Sequence, residues 1–118
     1  MIKEMIYKST RGELEEVSAS QAILKGLASD GGLFVPLNIP ALDVDFDELS
    51  KMTYKEIAYV VMSKFFTDFS KEELISCIEK AYDSKFDAAE IAPIKEADGT
   101  YYLELFHGST IAFRFLFS

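Results

Sequence analysis

VDFDELSKMTYKEIAYVVMSKFFTDFSKEEL, residues Val44 to Leu74, writes three helix starts with one repeated device. A side chain able to cap is followed three residues later by glutamate: Asp45 with Glu48, Thr53 with Glu56, and Ser70 with Glu73. In such a box the cap oxygen accepts an N–H of the first turn, and the glutamate reaches back to the cap's own N–H. Each cap is also preceded by an apolar residue with an apolar partner five positions on, Val44 with Leu49, Met52 with Ile57, and Phe69 with Leu74. These pairs have the spacing of hydrophobic staples. Downstream of Thr53, Tyr54, Ile57, Ala58, Val61 and Phe65 recur at helical spacing, and downstream of Ser70 so do Leu74, Ile78, Ala81 and Tyr82. Two helices, each with one apolar stripe, are expected there, and only a short turn or two after Asp45.

Working outward, Ser18 or Ser20 can cap an earlier helix carrying Ala22, Ile23, Leu27 and Ala28, with the pair Gly31 and Gly32 to end it. Phe34, Val35 and Pro36 then leave as an extended segment. Towards the C-terminus, Asp98 and Gly99 separate two alternating runs, Ile91 to Ala97 and Thr100 to Phe106, the pattern of a tight hairpin. Apolar residues on both faces of the second run predict burial on both, which would make Glu104 a partly buried carboxylate in need of a partner. The fold class is therefore α+β: an N-terminal strand from the apolar MIY, several helices, short strands and a C-terminal β-hairpin.

At 118 residues the chain has room for one domain with a packed core. A hydrophobic fraction of 49% excludes disorder by composition. Lys+Arg 12 against Asp+Glu 20 gives a net charge of −8, a field that repels nucleic acid. A single cysteine, Cys77, and a single histidine, His107, give no internal disulfide and too few soft ligands for structural zinc, so no metal is expected. Cys77, between Leu74 and Ile78, reads as a partly buried, inert thiol. The longest apolar runs, such as Ile57 to Met62, fall far short of the ~20 residues of a membrane helix. With no secretory leader in Met1 to Gly12, a cytoplasmic protein without membrane contact is expected.

Three segments could carry chemistry: YKSTRG, Tyr7 to Gly12; ILKGLASDGGLFVP, Ile23 to Pro36; and LELFHGSTIAFRF, Leu103 to Phe115. Taken alone, the first reads as a surface turn with Arg11 paired to an acidic neighbour, and the second as a helix end and a strand stop. The third places His107, Gly108, Ser109 and Thr110 between a strand and a possible helix, where anions and cofactors are often received in α/β enzymes. A lone His107 in such a loop reads first as a hydrogen-bonded structural residue.

In this order and near these distances, the three segments resemble the N-terminal region of threonine synthase, and MTYKEIA, Met52 to Ala58, fits the same region. The resemblance covers essentially the whole chain. It implies a pyridoxal 5′-phosphate enzyme that converts O-phospho-L-homoserine and water to L-threonine and phosphate, with His107, Gly108 and Thr110 in the cofactor-binding loop. It divides the chain into residues 1–90, the N-terminal domain, and residues 91–118, a hairpin and the start of the cofactor-binding domain.

The family continues its motif with phenylalanine, lysine and aspartate, whereas this chain has Phe113, Arg114 and Phe115; the family also has proline where Ser109 stands. The family's lysine forms an imine with the cofactor aldehyde, a step that needs an amine able to lose its proton. Arginine, protonated up to a pKa above ~12 and delocalised, cannot replace it. No covalent cofactor is expected at Arg114, though a guanidinium could still dock a phosphate. Agreement up to Phe113 followed by Phe115 and Phe117 in alternation is what a cut or frame-shifted tail would give. The partner expected is the remainder of the enzyme, or a second copy through exposed C-terminal aromatics. A different class of reading is a stand-alone acidic interaction module without catalysis.

Overall fold

The computed structural model describes residues 4–83 and 90–107. Within them the order is β1 (Tyr7–Ser9), α1 (Ala19–Lys25), β2 (Phe34–Pro36), α2 (Phe46–Ser50), α3 (Tyr54–Phe65), α4 (Lys71–Ala81), β3 (Ile94–Ala97) and β4 (Thr100–Leu103). All three boxes of the Val44–Leu74 stretch close in both directions, so α2, α3 and α4 begin where the caps lie. A fourth box, Ser18 with Gln21, opens α1. Glutamine closes this box where the other three use glutamate.

β1 pairs antiparallel with β2, Tyr7 opposite Pro36 and Ser9 opposite Phe34, and Tyr7 also bridges Val17. The strand therefore lies in YKS rather than in MIY. Met5, Tyr7 and Ser9 alternate inward and are buried, as the two-residue period of a strand requires. Ser9 tolerates burial because its hydroxyl donates to Asp30 Oδ1 at 2.6 Å. The other contacts of that carboxylate are the N–H of Gly32 at 2.9 Å and the N–H of Glu13 at 3.0 Å. The Ser9 hydroxyl first, and the Gly32 N–H next, hold the Asp30 carboxyl below its usual range. Arg11 does not pair with a carboxylate here: its Nη1 donates to the main-chain carbonyl of Asp30 at 3.2 Å.

Two expectations for this region need correction. The helix ends at Gly26, whose φ of 73° caps it, and not at Gly31 and Gly32. Leu27 and Ala28, expected on the helix, lie beyond it, with Leu27 bridging Leu33; Ile23 and Leu27 are exposed. A cap in the left-handed region stops a helix wherever glycine permits it, and Gly26 comes first. The pair Gly31 and Gly32 instead lets two segments touch, because a Cβ at Gly32 would stand 2.1 Å from Ser9 Oγ.

The core is in two parts. Met5, Tyr7, Val17 and Ala19 form one cluster, against which Ala22, Phe34, Phe66 and Phe69 pack. Ile78, Tyr82 and Ile91 form the second, covered by residues that include Tyr54, Ala58, Met62 and Leu105. The segment between α3 and α4 ties them together: Tyr7 Oη donates to the Phe65 carbonyl at 2.6 Å, and the Met5 N–H to Thr67 Oγ1 at 2.8 Å. Asp68 accepts from the N–H and hydroxyl of Ser20. Partial burial pushes its carboxyl up, but the Ser20 bonds outweigh that and leave it below the usual range.

The hairpin forms on Asp98 and Gly99, with φ of 50° and 74°, and Ile94 stands opposite Leu103. Its strands are shorter than the alternating runs, because Ile91 takes a φ of 65° and Pro93 has no N–H to offer. Every residue of β3 and β4 is exposed, which corrects the expectation of burial on both faces. A two-stranded ribbon covers neither of its own faces. Cys77 is likewise exposed rather than partly buried.

Replacing Gly32 with alanine is expected to destabilise the chain by about 1–3 kcal/mol, the usual range for overpacking. Urea unfolding of Gly32→Ala checks this, and Ser9→Ala in the same chain should recover part of the loss by removing the Oγ that the new methyl meets.

Candidate functional site

Of the residues that the sequence proposes for a site, His107 lies within the described part, whereas Gly108, Thr110 and Arg114 lie outside the described residues. β4 delivers the chain to His107: the Glu104 N–H donates to the Pro93 carbonyl at 2.9 Å, one register step past Leu103. Glu104 is then half-buried, and its Oε1 stands 2.9 Å from His107 Nε2. The Phe106 ring packs beside the imidazole with centroids 4.5 Å apart. The partner that Glu104 needs is thus the histidine three residues on. Sequence reading raised both residues and did not join them, because a link across a strand exit has no periodic signature. Chemically the pair is an imidazole oriented by a carboxylate, which fixes a ring's direction at the mouth of the loop.

This donor set does not fit an imine-forming cofactor. An internal aldimine needs a lysine amine, and the His107–Glu104 pair offers none. Lys8, Lys25, Lys55 and Lys64 pair with the carboxylates of Glu16, Glu15, Glu79 and Asp43. Among the described residues no group of histidine, cysteine and carboxylates could hold a metal ion, and no helix is long and apolar enough to cross a membrane.

A concave feature runs along α3. Tyr54, Ile57, Ala58, Val61, Met62 and Phe65 line a cavity of about 320 Å³, with Phe66 and Tyr82 at its margins. That volume is near the lower end of small-ligand sites, but the lining supplies almost no polar group to orient a ligand. Tyr54 and Tyr82 meet edge to face, 5.1 Å between centroids. Burial first, then the neighbouring Tyr54, pushes the Tyr82 phenol up to about 12.

The family model for the threonine synthase N terminus matches residues 6–82. The chain belongs to the threonine synthase family. A threonine synthase of Schizosaccharomyces pombe is 42% identical over 118 residues, covering 97% of this chain and 23% of the relative. The crystal structure of threonine synthase from yeast superposes with a TM-score of 0.80 at 34% identity, over 94% of this chain and 24% of that one. A pyridoxal-phosphate-bound threonine synthase from Brucella melitensis gives a TM-score of 0.79 at 32% identity, over 94% and 24%. The α+β arrangement of small sheets and capped helices is thus that of the family's N-terminal part. The chain spans about a quarter of the length of these relatives.

Tyr82 supplies a pH signature of the second core cluster. Its folded pKa lies above the ordinary 10.0, so the neutral phenol is favoured by folding. That contribution is complete below pH 10 and is lost as pH rises towards about 12. Thermal unfolding followed from pH 9 upward should show this decline, and Tyr82→Phe should flatten it.

Proposed function

We propose that this chain is the N-terminal portion of a threonine synthase and that, by itself, it performs no catalysis. The reaction to which it contributes is that of the whole enzyme, O-phospho-L-homoserine and water to L-threonine and phosphate. Pyridoxal phosphate, bound there, would stabilise the carbanions that the elimination and rehydration pass through. In this reading residues 1–90 are the N-terminal domain and residues 91–118 lead into the cofactor-binding domain. His107 and Glu104 then sit at the entrance of that domain as an oriented pair, and Gly108 and Thr110 belong to its loop.

The carrying observation is collinearity: 97% of the chain aligns with a threonine synthase at 42% identity; the motif resemblance then assigns Arg114 to the position of the imine-forming lysine. A guanidinium at that position can offer hydrogen bonds to a phosphate but cannot attack an aldehyde at neutral pH. The His107–Glu104 pair does not remedy this, since an imidazole forms no stable imine.

Incubating the purified chain with pyridoxal phosphate should therefore give no imine absorbance that depends on Arg114, and O-phospho-L-homoserine should release no phosphate above the buffer rate. Turnover by material free of host enzyme, or an imine band that disappears in Arg114→Ala, would overturn the reading.

A further inference from the structure

Among the described residues α3 is the longest helix, and its apolar stripe is incompletely covered. α3 is closed by a box at Thr53 and has twelve residues, yet none of them is buried. α4, of eleven residues, buries Leu74 and Ile78. On α3, Tyr54 and Ala58 turn towards the second core cluster, but Ile57, Val61 and Phe65 line the open cavity beside it. Val61 remains 36% exposed. The stripe is continuous, concave and almost wholly apolar, and contiguous apolar patches of this kind mark surfaces that another chain segment covers.

We infer that the α3 groove is the face on which the rest of a threonine synthase packs, so that Ile57, Val61 and Phe65 are interface residues between this region and the cofactor-binding part of the enzyme. This rests on the function proposed above. The occupant follows from length: the fission-yeast relative matches nearly all of this chain yet devotes only 23% of its own length to it. About three quarters of such a protein is available to cover what this quarter leaves open. Charge favours the same face, because the groove is free of charged lining residues, whereas Lys55 and Lys64, elsewhere on α3, pair with Glu79 and Asp43. A lining depleted of charge is the anatomy of the centre of a specific interface. The exposed apolar residues of α1, β2 and the segment after it, Leu24, Val35 and Ile39 among them, do not line this groove.

The test compares one residue in two settings. Cys77, being exposed, is first replaced by serine, and Val61→Cys is introduced into the 118-residue chain. The same pair of changes is made in a chimera of the fission-yeast relative whose matching N-terminal region is replaced by residues 6–82 of this chain. A thiol reagent should label Val61→Cys readily in the chain and more than about tenfold more slowly in the chimera. Equal labelling in both would overturn the inference. So would protection in the chain alone that grows with concentration, which would make a second copy the occupant. A chimera that fails to accumulate as soluble, active enzyme would instead refute the proposed function, and the inference with it. As a second readout, Val61→Asp should leave the melting temperature of the chain unchanged and lower that of the chimera.

Discussion

Everything in the described part of the molecule depends on how β1 is held against the turn between α3 and α4. Tyr7 reaches the Phe65 carbonyl with its hydroxyl, and the Met5 N–H reaches Thr67. These two bonds join segments about sixty residues apart in sequence. They occur where Phe66 and Phe69 leave the helices to pack on the first core cluster, while α3 and α4 together build the second. Without that seam there would be a small sheet and a helical hairpin, each too small to retain a core of its own. A part-buried hydrogen bond contributes only about 0.5–1.5 kcal/mol net, so the seam is not strong. It matters because the apolar contacts of both clusters presuppose the relative position it sets.

Local signals were legible and tertiary ones were not. The boxes at Asp45, Thr53 and Ser70 involve atoms within one helical turn, so the sequence contains the whole interaction. The turn at Asp98 and Gly99 was legible for the same reason. What failed to show was whatever depends on a distant neighbour. Gly26 rather than Gly31 ended α1, because a helix stops at the first favourable cap and the Gly31–Gly32 pair was needed elsewhere, to admit Ser9 and Arg11. Ser9 gave no hint of burial in a segment that read as a surface turn, since its partner Asp30 is twenty-one positions away. For the candidate site, the chain revealed His107 and the need of Glu104 for a partner, but not that each answered the other.

The three motif blocks also separate by what they do. YKSTRG and SDGGLFVP are parts of a single polar knot: the Asp30 carboxylate gathers the Ser9 hydroxyl and two backbone N–H groups, and Arg11 closes over the Asp30 carbonyl. The contacts to the Asp30 carboxylate are part-buried and satisfy groups that folding takes partly out of water, whereas the Arg11 bond is exposed. Neither block needs a ligand to account for its composition. The HGST block is different in kind, since it follows the strand that ends the described hairpin, and its one described residue is oriented by a carboxylate.

On the reading proposed above, this region keeps the family's architecture without its reactive amine. The forces that specify β1, the knot and the capped helices are hydrogen bonds and burial within the matched residues 6–82. Exchanging lysine for arginine alters proton affinity and nucleophilicity, which are properties of one side chain and not of a cap or a cluster. Fold and chemistry are thus carried by separate residues in this chain. On the inference drawn above, what couples them is packing: the apolar stripe on α3 is left half-covered, and further protein would lie on it. The same open groove that leaves the second cluster incomplete is what would let the region add stability to a larger enzyme when it docks, because about 25 cal/mol is gained for every Å² of apolar surface removed from water.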